Sequence, residues 1–146
     1  MIESKYEISK INKGIPFFGR VKLMIQITKN ENLEIIEKYN GKGFYSQGYE
    51  EIIPNEGYDN WKRGIIKGIE YAYSKLKLNK GIRVSIIEAS GLTTDTNPTI
   101  LGFVASRAIL SKLENSESAL EKEQLEEYMF SSSNFELQSI PNFNNN

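Results

Sequence analysis

The residue types on which catalysis most often depends are missing from this chain, which has 146 residues but no cysteine and no histidine. Without them there is no thiolate nucleophile, no thiolate zinc site, no imidazole base and no imidazole metal ligand. Three weaker constellations remain. Asp95 lies between Thr94 and Thr96, a set of oxygen donors a hard cation would accept, but a lone carboxylate before a helix reads as a cap and no metal is expected. Glu50 and Glu51 are adjacent, with no second carboxylate that spacing pairs with them for acid–base work. Gly41-Lys42-Gly43 is too short to cradle a phosphate, and neither phosphate-loop pattern, G-x-x-x-x-G-K-[ST] or G-x-G-x-x-G, is present. The expectation is a chain that binds rather than catalyses, with no cofactor and no nucleotide.

The elements that would position these residues follow from periodicity. Residues 1–12 alternate weakly and fit an edge strand, and 13–19, with Gly14, Pro16 and Gly19, fit a loop. RVKLMIQIT (20–28) alternates strictly, as a half-buried strand does, and LEIIEKY (33–39) reads as its returning hairpin partner. An irregular connection fills 44–57. A helix is predicted over 58–78, with Tyr58, Trp61, Ile65, Gly68, Ile69, Ala72 and Leu76 on one stripe, Asp59 or Asn60 as cap, and Gly68 marking close packing on a sheet. IRVSIIEA (82–89) is a further strand and Gly91 to Thr96 a polar tip. A second helix over 98–113 opens at Pro98, capped by Asp95, Thr96 or Asn97, with Leu101, Val104, Ala105 and Ala108 on one face.

Charge divides the chain. Residues 1–113 hold 17 basic and 12 acidic side chains, net +5, and residues 114–146 hold 1 and 7, net −6. A domain over 1–114 is therefore expected, followed over 115–146 by an acidic helix, striped by Leu120, Leu125 and Tyr128 or Met129, and a low-complexity, disordered tail. The N-terminus lacks the charged and apolar regions of a signal peptide, and no apolar run nears the ~18 residues a membrane span needs. A cytoplasmic location away from the membrane is expected.

Three segments together resemble domain IV of translation elongation factor G, which is shared with the ribosomal protection proteins. Gly14-Ile15-Pro16-Phe17-Phe18-Gly19-Arg20-Val21 resembles the family's first tip loop entering a strand. Ile53-Pro54, Trp61 and Lys67-Gly68-Ile69-Glu70-Tyr71-Ala72 resemble its first helix. Asp95-Thr96-Asn97-Pro98-Thr99 running into Phe103-Val104-Ala105-Ser106 resembles its second tip loop and helix. The resemblance implies an α+β two-layer sandwich, with a four-stranded sheet, two helices on one face and a left-handed β-α-β crossover. It also implies a tip, formed by Lys13–Arg20 and Gly91–Asn97, that faces the ribosome. The chain departs from the family in its Pro16-Phe17-Phe18 run and near Leu92, where the family often has a histidine, and a free-standing domain without the family's GTPase domain is expected.

Two functions follow as expectations. In one, the tip binds the ribosome or structured RNA. Lys13 and Arg20 neutralise phosphates, Phe17 or Phe18 stacks on an unpaired base, and Thr93, Thr94, Thr96 and Asn97, with Asp95 in the same loop, make polar contacts. In the other, the fold is a protein-interaction module (a regulator, a neutralising partner or a homodimer) with Phe17, Phe18, Phe44 and Tyr45 as aromatic anchors.

Overall fold

The computed structural model describes residues 1–132. The low-complexity tail expected at the C-terminus lies outside them from residue 133 onward. The chain forms an α+β two-layer sandwich, as expected, built on a mixed five-stranded sheet.

The loop expected over 13–19 is instead part of a long hairpin. β1 (Ile2–Asn12) pairs antiparallel along its whole length with Ile15–Ile25 of β2 (Ile15–Thr28), and only Lys13 and Gly14 turn between them, both at positive φ (50° and 80°). A two-residue turn of that kind matches the twist of the strands it joins. Pro16 and Gly19 did not break the strand. Gly19 serves packing, since a Cβ there would sit 3.0 Å from Ile100 and 3.3 Å from Leu101. Strict alternation then puts Phe17, Gly19, Val21, Leu23 and Ile25 into the core and turns Phe18, Arg20, Lys22, Met24 and Gln26 to the outer face.

β3 (Leu33–Glu37) is not the hairpin partner of β2 that its sequence suggested. It runs parallel to β5 (Gly81–Gly91), on the opposite side of β5 from β2, so the sheet order is β1-β2-β5-β3. A two-residue strand, β4 (Glu51–Ile52), pairs with β5 at Gly91 and Ser90 beyond the end of β3, and makes the expected four strands five.

α1 (Asp59–Lys75) is shorter than the predicted 58–78. It is capped by neither Asp59 nor Asn60: Tyr58 occupies the cap in a left-handed conformation (φ 58°) without a capping side-chain bond. α2 (Pro98–Leu110) opens as its sequence dictates, with Asn97 Oδ1 accepting from the Ile100 N–H and Pro98 in the first turn. Gly64 and Gly68 of α1 pack on α2 rather than on the sheet. A Cβ on Gly68 would stand 2.6 Å from the Gly102 carbonyl carbon, and one on Gly64 would stand 2.7 Å from that of Pro98. Every α2 residue except Thr99 is buried, not only the predicted face.

A third helix completes the helical layer. α3 (Ala119–Phe130) starts with a capping box between Ser118 and Glu121 and buries Leu125 and Met129, whereas Leu120 of the predicted stripe is exposed. Ahead of it, Glu117 forms a buried ion pair with Arg107 and accepts from the Tyr71 hydroxyl at 2.7 Å. No helix of the described residues is long and apolar enough to cross a membrane.

Candidate binding site

The N-terminal end of β2, the C-terminal end of β5, and the loops at the starts of α1 and α2 lie at one end of the sandwich. The second tip loop expected from the sequence is there and is tightly held. Asp95 N–H donates to the Leu92 carbonyl at 3.0 Å, Phe18 N–H to the Asp95 carbonyl at 2.9 Å, and the Thr96 hydroxyl to the Phe18 carbonyl at 2.7 Å. The same Thr96 oxygen accepts from Leu92 N–H at 2.8 Å. Thr96 and Asn97 are therefore buried fixtures of the loop and the helix start, while Thr93 and Thr94 are exposed and Asp95 half-buried.

The first expected loop supplies less than its sequence suggested. Phe17 is 3 % exposed and meets the ring of Phe130 edge-on at 5.1 Å, so it does not stack on any ligand. Phe18 is half-buried on the outer sheet face. Arg20 is held by two carboxylates, Glu50 at 3.3 Å and Glu88 at 3.0 Å, and its charge is already met. Lys13 is exposed, but it rides at the end of the hairpin, five residues along the chain from Phe18.

What the end of the molecule offers instead is a loop between β3 and β4. Gly43 and Gly48, both at positive φ (74° and 88°), turn the chain on either side of Phe44-Tyr45-Ser46-Gln47. The bond from Gly43 N–H to the Ile52 carbonyl, at 2.9 Å, closes the base of the loop. Its aromatic side chains are left outside: Phe44 is 62 % exposed, Tyr45 79 % and Tyr49 61 %, with Tyr45 and Tyr49 edge-to-face at 5.6 Å. Between this loop and the tip loop lies a cleft of about 550 Å³, lined by Phe44, Gln47, Gly48 and Tyr49 on one side and Leu92, Thr93, Thr94 and Asp95 on the other. Phe44 and Tyr45 stood out in the sequence as aromatic anchors. Tyr49 did not, although the pattern Gly-Phe-Tyr-Ser-Gln-Gly-Tyr carries the signal of an aromatic segment that two glycines keep from entering a strand.

One buried carboxylate links the two walls. Glu51 is 5 % exposed; it accepts from the Tyr58 hydroxyl at 2.7 Å and from the Thr93 hydroxyl of the tip loop. The Tyr58 oxygen is in turn hydrogen-bonded by the backbone of Phe44. Burial, then the bond to Glu51 and its charge, push the Tyr58 hydroxyl up to about 12. Beside this, Ser90 donates to Glu50, the partner of Arg20. Among the described residues, no group of three or more acidic side chains is arranged to hold a metal ion.

No family model matches the sequence, and no curated protein matches it. Among solved structures, the fold is similar to part of the crystal structure of ttk003000868 from Thermus thermophilus. The TM-score is 0.53 at 16 % sequence identity, over 77 % of this chain and 16 % of that one. At that identity the likeness is one of fold. This chain spans about a sixth of the length of the protein it matches.

Proposed function

We propose that the chain is a non-catalytic binding module that engages a protein partner through the aromatic cleft at its tip. The observation that carries this is the pair Phe44 and Tyr49, each more than 60 % exposed, lining a cleft of about 550 Å³, with the exposed Tyr45 packed edge-to-face on Tyr49. Aromatic side chains left in water beside a concave surface are what protein interfaces bury at their centres. Arg20 is paired twice and, among the described residues, no lysine or arginine lines the cleft.

A second reading is favoured by Lys10 and Lys13 on the projecting hairpin and by Lys42 beside the exposed aromatic residues. Cations flanking stacking surfaces suit structured RNA with an unpaired base. With the sequence resemblance to domain IV of elongation factor G, this supports a ribosome-facing, translation-related role.

Photo-crosslinking from a benzoylphenylalanine at position 45, in an extract of cells that express the chain, separates the two. The protein reading predicts an adduct that proteases remove and nucleases leave intact. A nuclease-sensitive adduct would replace it with the RNA reading, and no adduct would remove the tip as the binding end.

A further inference from the structure

The cleft's chemistry narrows what it takes. Its aromatic lining is Phe44 and Tyr49, its apolar lining on the opposite side includes Leu92, and its charged lining group is the carboxylate of Asp95, placed by a 3.0 Å bond from the Thr94 hydroxyl. Behind the tip loop stands a second carboxylate, Glu51, buried under Thr93. Arg20 is neutralised by Glu50 and Glu88, and Lys42 is exposed outside the cleft lining. The arrangement offers negative potential and aromatic quadrupoles, with no competing positive charge in the described lining.

We infer that the cleft receives an arginine side chain from the partner protein; this rests on the protein-binding reading above. A cation over an aromatic face is attracted by the ring quadrupole, more strongly as it leaves water. A guanidinium suits these walls better than an ammonium, because it is planar, stacks on rings, sheds water more readily and meets a carboxylate through two parallel N–H bonds. The methylene stem would lie along Leu92 and the ring edges. A phosphate would meet Asp95 at the same place and be repelled.

The test is a titration of the full chain, followed through its backbone amide resonances, with N-acetyl-arginine amide. The lysine and citrulline counterparts and guanosine monophosphate are run beside it. Expected are shifts confined to 44–49 and 92–95 with the arginine compound, weaker ones with lysine, and none with citrulline, which keeps the shape but loses the charge. Asp95→Asn should weaken arginine binding at least about tenfold, as loss of a charge-assisted pair does; the same spectra report that the variant is folded. Equal response to arginine and citrulline, or no response to arginine, would overturn the inference. If position 45 still crosslinks to protein in that event, the protein-binding reading survives and only the arginine assignment falls. Shifts with guanosine monophosphate and none with arginine would overturn it in favour of a nucleotide.

Discussion

Replacing Gly68 by alanine should destabilise the protein, although in an isolated helix the same change stabilises. Alanine at a helix interior is worth about 1 kcal/mol over glycine. Here the added methyl would stand 2.6 Å from the carbonyl carbon and 2.7 Å from the Cα of Gly102, inside any van der Waals separation. The obstructing atoms are backbone, so no side chain can rotate away and α1 and α2 must move apart. Overpacking of this kind costs about 1–3 kcal/mol. Opening the seam also loosens Ile65, Ile69 and Leu101, all fully buried. Set against the helix-propensity gain, a net loss of about 1 kcal/mol is expected, read as a fall in Tm of roughly 2–4 °C for a chain of this size. Thermal unfolding followed by circular dichroism measures it, with Ser74→Ala, on the exposed side of α1, staying within about 0.5 kcal/mol. A Gly68→Ala protein as stable as the parent would refute the helix–helix contact.

Two further outcomes concern ionisation. The Lys75 ammonium, the Ser118 backbone N–H and the capping geometry hold the Glu121 carboxyl down to about 2, against an ordinary value of 4.5. Its contribution is therefore present above pH 4.5 and lost as the pH falls through 2. In urea unfolding, Glu121→Gln should flatten that part of the acid limb and leave the neutral region's slope unchanged. Tyr58, raised to about 12, works in the opposite direction: its contribution is full below pH 10 and lost as the pH rises through 12. Glu51→Gln removes the charge that helps raise it, so the Tyr58 step, assigned by comparison with Tyr58→Phe in absorbance titrations, should move down toward 10.

Much of this was legible locally. The alternation of 20–28, the Asp95-Thr96-Asn97-Pro98 start of α2 and the small residues of 102–108 dictate what forms there, because each signal acts within one turn or one pleat. Partner choice was not legible. LEIIE has the pattern of a strand, and nothing in five residues says whether its neighbour is β2 or β5. Gly14, Pro16 and Gly19 looked alike as chain breakers, yet only Gly14 turns the chain; Gly19 makes room for α2, a neighbour more than 80 positions away. The same long-range packing moved the site. Phe17 and Phe18 are adjacent in sequence, but the strand sends one into the core, while Phe44, Tyr45 and Tyr49 stay outside because glycines at 43 and 48 turn their segment away from any strand.

In the protein-binding reading proposed above, binding is carried by the aromatic cleft and not by the cations of the hairpin. The most direct test is the yield of the position-45 crosslink in two variants, each first shown to be folded. Phe44→Ala/Tyr49→Ala should lose the protein adduct and Lys13→Glu should keep it. An adduct that survives the aromatic substitutions and disappears with Lys13→Glu would contradict it.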